Sequence, residues 1–326
     1  MDLSEHPTFI SCDWGTSMLR MSWVRSDSFE TIQSFSSSQG IRDTYNAWQK
    51  KKGGTDRYTF YAEVLGKVLE HLDRNTELIT PGIPIICSGM ASSSLGIMEL
   101  PYAALPFSLE GGDARVSLLE ASAVLPNPIF LISGLQSDCD VMRGEETELI
   151  GALKLNSDPL PAEFLAILPG THSKHIQVSL GSITAIHTYM TGEIFTLLKN
   201  HSTLGHSLAP SGNTQWSSFR EGLAHSLKNP LLSALFQIRV KELLYQADKE
   251  GNYYFLSGLL IGSELRSLDE GINHIVLMGN QVLRPLYADA LQTLGWQGRL
   301  TVLKTNSPLA IQAGQLHLYQ TKIKAL

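Results

Sequence analysis

The chain has 326 residues, with 25 Lys and Arg against 31 Asp and Glu, 43% hydrophobic and 17% charged residues. At roughly 150 residues per domain this length predicts two domains, each large enough for its own core, and the composition excludes disorder for most of the chain. A net charge of −6 with scattered basic residues gives no footprint for a nucleic-acid backbone or an anionic membrane, but leaves room for a small anion in a locally basic pocket. Cys12, Cys87 and Cys139 lie far apart without CxxC spacing, so neither a disulfide framework nor a cysteine zinc site is expected. The N-terminus MDLSEHPTF lacks a basic and apolar leader pattern. The longest apolar stretch, Phe255 to Ile261, is far short of the roughly 18 residues that span a bilayer, and a cytoplasmic protein is the expectation.

In chain order, Thr8 to Cys12 reads as a strand ending at Asp13-Trp14-Gly15-Thr16-Ser17, and the alternation of Met18 to Val24 predicts a second strand, so that a polar, Gly-containing turn closes a hairpin. A third strand falls within Phe29 to Ser38, and Lys50-Lys51-Lys52-Gly53-Gly54 reads as a solvated loop. Helical spacing of Phe60, Val64, Val68, Leu69 and Leu72 precedes a buried strand, Ile83 to Cys87; another strand is expected at Ile129 to Ile132. Gly144 to Leu153 has the acidic start of a helix, and the Pro-containing Asn156 to Ala162 segment marks a domain boundary. Beyond it the opening pattern returns: a strand at Phe164 to Leu168, the turn Pro169-Gly170-Thr171-His172-Ser173-Lys174, and alternation through His175 to Ser179 and Ser182 to Tyr189. Helices are then predicted around Ile194 to Asn200, within Gln215 to Lys249, and over Tyr253 to Leu268. The strand His274 to Met278 runs into Gly279-Asn280, a helix near Val282 to Leu294 precedes the strand Leu300 to Leu303, and a last helix covers Pro308 to Tyr319. The plan is mixed α/β with two halves that open alike.

A Gly-Thr/Ser turn between strands offers backbone N–H groups and hydroxyls to phosphate oxygens, and this chain has two of them, neither a Walker loop. Such a pair points to a nucleotide held in a cleft between domains, the arrangement in which closure excludes water from phosphoryl transfer. Asp13 at its strand end suits a magnesium ion held through water; its plainer role is to cap the turn. Glu145 is the candidate for a carboxylate that accepts the proton of an attacking alcohol, against the plainer role of complementing a helix dipole, and Glu146 beside it stays open for the same task. Arg143 suits a substrate carboxylate or pairs with a neighbouring acid. Gly258 and Gly262 read as helix packing, whereas Gly279, at the end of a strand, suits an adenosine contact.

Taken in order, Asp13-Trp14-Gly15-Thr16-Ser17 with Leu19-Arg20, Ser88-Gly89-Met90-Ala91-Ser92-Ser93, Glu99-Leu100-Pro101-Tyr102, Met142-Arg143-Gly144-Glu145-Glu146-Thr147, Leu168-Pro169-Gly170-Thr171-His172-Ser173-Lys174, Met190-Thr191-Gly192-Glu193 and Phe255 to Gly262 resemble the 2-dehydro-3-deoxygalactonokinase family of the actin/hexokinase/heat-shock ATPase superfamily. The resemblance implies two related actin-like, ribonuclease H-like ATPase domains around an interdomain nucleotide cleft. Residues 1–160 would form the sugar-acid side, and residues 161–326 the nucleotide side with a helical insertion near 215–250. It implies ATP-dependent phosphorylation of 2-dehydro-3-deoxy-D-galactonate at its terminal C6 hydroxyl in galactonate and galactose catabolism, with magnesium as the metal, bound at Asp13. Gly15, Thr16 and Ser17 would form the first phosphate motif, Gly170, Thr171, His172 and Lys174 the second, and Gly279 a nucleotide contact. Glu145 would be the base. For the sugar acid, Arg20 and Arg143 are the carboxylate candidates, with Arg239 a third, and Ser88, Met90 and Ser92 lie on a loop suited to its hydroxyls. The chain departs from the family at Gly279-Asn280-Gln281 and at Asn306-Ser307.

Two rivals stand beside this reading: a nucleotide-binding regulatory or assembly module of the same fold, and a kinase for another sugar or aldonic acid. The partners expected are a small sugar acid and ATP, with no nucleic acid or membrane, and a homodimer is the default assembly.

Overall fold

The computed structural model describes residues 7–51, 54–73, 82–210, 212–269 and 271–323; Lys52 and Gly53 of the lysine-rich loop lie outside them. The first stretch of the chain forms β1 (Thr8–Trp14), β2 (Leu19–Arg25), β3 (Thr31–Ser37), α1 (Ile41–Lys50), α2 (Arg57–Asp73), β4 (Ile85–Gly89), β5 (Ala103–Ala104), β6 (Phe107–Ser108), β7 (Val116–Leu119), β8 (Ile129–Ile132), β9 (Leu135–Gln136), β10 (Val141–Met142) and α3 (Glu145–Leu155). There follow β11 (Glu163–Leu168), β12 (Ser173–Ser179), β13 (Ser182–Tyr189), α4 (Thr191–His201), α5 (Trp216–Lys228), α6 (Leu231–Tyr245), α7 (Lys249–Leu265), β14 (Ile275–Leu277), α8 (Arg284–Thr293), β15 (Leu300–Val302) and α9 (Ser307–Ile323).

The chain resolves into two compact units, one of residues 1–160, 179–186 and 305–326, the other of residues 161–178 and 187–304. These limits differ from a simple break near residue 160 in two places. The helix α9 belongs with the first unit because it crosses α3 closely, where side chains are absent: a Cβ on Gly151 would overlap the Ala310 carbonyl oxygen, and one on Gly314 that of Thr147. The start of β13 belongs there because Ser182 and Ile183 pair antiparallel with Ser108 and Phe107 of β6.

In the first unit the sheet order is β3-β2-β1-β4-β8-β7, with β1, β4 and β8 mutually parallel. Alternation along β1 turns Ile10, Cys12 and Trp14 into a core shared with α2, and leaves Asp13 on the opposite face. Trp14, fully buried against Tyr61 with ring centroids 5.4 Å apart, anchors the strand end immediately beside that carboxylate. In the second unit, β15, β14, β11 and β12 are successive neighbours; β11, β14 and β15 run parallel, and β11 and β14 are the apolar runs covered on both faces. One core lies between these strands and α5, α7 and α8, and another among α4, α6 and α7. Gly222 and Gly258 face each other where α5 crosses α7; a Cβ on Gly258 would overlap the Phe219 carbonyl oxygen, so Gly258 packs a helix.

The short helix α1 has no counterpart in the sequence pattern, because only Ile41 and Thr44 of its ten residues are buried and its apolar face is too sparse to read. Among the described residues no helix is long and apolar enough to cross a membrane.

Candidate functional site

The first unit gathers acids at the carboxyl ends of its parallel strands. Register sets Asp13 opposite Arg20 across the β1–β2 hairpin and opposite Ser88 on β4. Arg20 donates to Asp13 Oδ2 at 2.9 Å, with side chains 52% and 20% exposed. Burial pushes the Asp13 carboxyl up; the Arg20 guanidinium opposes this and the nearby Glu145 charge adds to it. Glu145 opens α3 and is half-buried, its Oε2 accepting from the Arg143 N–H at 2.9 Å. Glu146 is buried: both its oxygens accept from the Gly144 N–H, at 3.0 and 2.8 Å, and Thr147 donates to Oε1 at 3.1 Å. Burial first, and the Glu145 charge second, push Glu146 up to about 7. Gly144 itself holds φ +112°, a left-handed conformation that a side chain would strain. Adjacent positions on a helix point about 100° apart, so the two glutamates that sequence leaves equivalent have different surroundings.

A fourth acid, Glu148, joins them. Burial pushes it to about 7; a hydrogen bond from Ser307 opposes that, and the charges of Asp13 and Glu145 reinforce it. Its Oε1 is buried with no partner among the described residues. Spacing of i, i+3 from Glu145 on a predicted helix is the signal that could have found it. Among the described residues no three acids, His or Cys stand close enough to enclose a metal ion.

Arg143 Nη1 donates to the Ser92 carbonyl at 2.7 Å and to its hydroxyl at 2.5 Å, while the guanidinium lies over the Tyr102 ring, 4.1 Å from its centroid. Nε is buried with no partner among the described residues, so this guanidinium still carries an unmet donor. Met90 and Ser92 sit in a short 3₁₀ turn after β4, and Ser92 is committed to Arg143. Ser88 is buried and accepts from Gln315 Nε2 of α9 at 2.9 Å; the same nitrogen donates to the Cys12 carbonyl at 3.0 Å. Gln315 escapes the sequence because its partners lie at the far end of the chain. Arg239, on α6, pairs with Glu242 at 2.5 Å.

The turn Gly15–Ser17 is closed by Gly15 N–H donating to the Met18 carbonyl at 2.9 Å. Its own carbonyls face α1: Gly15 and Thr16 accept from the N–H groups of Ile41 and Arg42, at 3.0 and 3.2 Å. Because a trans peptide sets C=O and the next N–H in opposite directions, the N–H groups of Thr16 and Ser17 point away from α1.

The second unit repeats this construction. Between β11 and β12 the Thr171 carbonyl accepts from the Glu193 N–H at 2.9 Å, so the His172 N–H points away from α4. Thr171 and His172 are exposed, and His172 Nε2 bonds Glu193 Oε2 at 2.5 Å. Lys174 lies one residue into β12; it is buried, 5% exposed, with its ammonium donating to Thr188 at 2.6 Å. Strand alternation turns it to the face opposite Ser173 and His175. Gly279 follows β14 with φ +87°, at the same sheet end as the turn, since Leu277 pairs with Ile167; Asn280 accepts from the N–H groups of Val282 and Leu283, at 2.8 and 3.2 Å.

Twin α/β units, each presenting the N–H groups of a Gly-containing hairpin turn and one bearing acids at its strand ends, define a small-molecule kinase of the actin-like ATPase class. A family model described as 2-keto-3-deoxy-galactonokinase matches residues 13–315. The chain is 31% identical over 295 residues to the 2-dehydro-3-deoxygalactonokinase of Escherichia coli (strain K12), covering 88% of this chain and 90% of that one. A solved structure from Sinorhizobium meliloti, described as a candidate 2-dehydro-3-deoxygalactonokinase, superposes with a TM-score of 0.78 at 26% identity over 98% of this chain and all of that one. The chain belongs to the 2-keto-3-deoxy-galactonokinase family.

Proposed function

We propose that this protein moves the γ-phosphoryl group of ATP to the C6 hydroxyl of 2-dehydro-3-deoxy-D-galactonate, a cytoplasmic step of galactonate and galactose breakdown. Family membership supports the substrate. The observation that carries the chemistry is Glu145, half-buried at the start of α3 within the field of Asp13, while its neighbour Glu146 is spent on Gly144. The substrate oxygen attacks the γ-phosphorus in line and its proton passes to Glu145. The bond from the γ-phosphorus to the β–γ bridging oxygen breaks and ADP leaves.

The Glu145 charge adds to burial in pushing up both Asp13 and Glu148, and Glu148 Oε1 has no partner among the described residues, a donor set that favours a nearby cation. Magnesium fits, since it keeps several waters and needs only one or two carboxylates; Asp13 would hold it through water, and when bound it neutralises phosphate charge. The Arg143 guanidinium suits the substrate carboxylate, with Arg20 left to orient Asp13. The N–H groups at Thr16, Ser17 and His172 suit phosphate oxygens, and the buried Lys174 adds positive charge behind the second turn.

The test is ADP release with ATP and magnesium across 2-dehydro-3-deoxygalactonate, its gluconate epimer, galactonate, glucose and N-acetylglucosamine. Turnover with the first compound alone, and a fall of roughly 10²–10⁴-fold in folded Glu145→Gln protein, is the expected result. ATP binding without ADP release from any compound would leave a nucleotide-binding module, and turnover with another compound would move the substrate assignment.

A further inference from the structure

Glu264 lies near the end of α7 with its side chain 1% exposed, among residues that the proposed chemistry does not use. Its carboxylate collects four donors. Ser173 Oγ donates to Oε1 at 2.7 Å, and His175 Nε2 bonds the same oxygen at 2.9 Å. Tyr287 OH donates to Oε2 at 2.6 Å, and Thr191 Oγ1 bonds that oxygen too. A carboxylate offers about four lone-pair sites, so this one is saturated, and a buried charge is tolerated only when so paired. Burial of the Tyr287 phenol first, and the Glu264 charge second, hold it well above its ordinary range and so keep it a donor.

The four partners belong to three elements, and two of those elements form the walls of the second turn. Ser173 and His175 are the first and third residues of β12, directly after Gly170–His172. Thr191 opens α4, whose next two residues press on the same turn: Glu193 N–H takes the Thr171 carbonyl, and a Cβ on Gly192 would stand 2.8 Å from Thr171 Cα. Tyr287 ties the assembly to α8.

We infer that Glu264 is the positioning residue of the second turn: by gripping β12 and the start of α4 together, it fixes where the Gly170–His172 N–H groups stand, and so sets affinity for the nucleotide's phosphates. This rests on the proposed role of that turn. It extends the kinase reading to a residue that touches neither reactant.

The experiment compares Michaelis constants for ATP and sugar acid, and ADP binding by calorimetry, in wild type, Glu264→Gln, Thr191→Val, Tyr287→Phe and Gly192→Ala. Glu264→Gln should raise KM for ATP at least 10-fold and weaken ADP to match, with KM for the sugar acid within 2-fold. Thr191→Val and Tyr287→Phe, each removing one donor at nearly constant volume, should raise KM for ATP about 2–5-fold, and they carry the test if Glu264→Gln does not fold. A loss of stability with both constants unmoved, or raised equally, would reduce Glu264 to a core residue and overturn the inference. Gly192→Ala pushes the turn by direct contact: if it raises KM for ATP and the other variants do not, the positioning role fails while the turn's role stands. If no variant moves it, the turn itself is not the phosphate site.

Discussion

The turn after β1 and the turn after β11 share one backbone design and differ in what surrounds it. Each turns carbonyls toward the first N–H groups of a following helix, α1 or α4, and each needs a glycine there. Around the first turn stand Asp13, Glu146 and Glu148, carboxyls whose proton affinity is raised by burial first and then by the nearby Glu145 charge. Beneath the second stands one carboxylate fully covered by donors. A saturated carboxylate holds geometry, whereas partly satisfied ones take up a proton or a cation; in the proposed reading both hairpins therefore hold phosphate, and only the first has acid–base and metal chemistry beside it.

Removing the shared glycines should break this comparison most severely. Gly40 has φ −70° and ψ 178°, which alanine adopts freely, so the effect of Gly40→Ala is purely steric: its Cβ would fall 2.5 Å from Ser17 Cα and overlap the Thr16 carbonyl. Backbone cannot swing aside as a side-chain tip does, and the cost should reach the upper end of about 1–3 kcal/mol for overpacking. Urea unfolding should show this for both Gly40→Ala and Gly192→Ala. Kinetics should separate them, with kcat falling for the first and KM for ATP rising for the second; identical kinetic signatures would mean that the turns do one job.

The next effect concerns protons. Glu146 sits at about 7 when folded against an ordinary 4.5, so between those values the folded chain keeps a proton that the unfolded chain has released. The stability contributed by that proton is complete below the unfolded value and is lost as pH rises through 7. The loss in nucleotide-free and metal-free protein should amount to at most about 3 kcal/mol between pH 4.5 and 8. Glu146→Gln, measured by unfolding at several pH values, should flatten this slope, and an unchanged slope would place the buried proton elsewhere. After that comes Arg143→Lys, which keeps the charge and loses the fork; KM for the sugar acid should rise roughly 10–100-fold, as a charge-assisted bond of about 1.5–3 kcal/mol is lost, with KM for ATP within 2-fold.

The repeated hairpins were legible in the sequence because both are strongly patterned: apolar runs, then Gly with Thr or Ser, then alternation. The strand Ile129–Ile132 reads from sequence with its observed ends, since a buried strand announces itself by continuous apolarity. What depends on partners distant in sequence was not legible. Lys174 reads as a cation at the turn until strand alternation buries it. Glu145 and Glu146 separate only once Gly144 claims the second. Glu264 lies four residues beyond Leu260 and eight beyond Leu256 on a face that is mostly apolar up to that point, interrupted by Asn252 and Ser257. A carboxylate continuing an apolar stripe was a readable anomaly, but its four donors come from residues 23 to 91 positions away.

The smallest expected effect tests where the support of the second turn lies. His172 and Glu193 meet at 2.5 Å at its tip, with side chains 49% and 37% exposed, so solvent screens the pair and it should add less than about 1 kcal/mol to stability. If the turn is held from beneath, His172→Ala leaves the Glu193 N–H on Thr171 and the Thr191 link to Glu264 in place. Its unfolding midpoint should then barely move, and KM for ATP should rise only about 2–3-fold. A rise as large as that of Glu264→Gln would mean that the exposed tip, rather than the buried carboxylate, sets the turn, and the contrast with the acid-ringed first turn would then reduce to which side chains happen to be exposed.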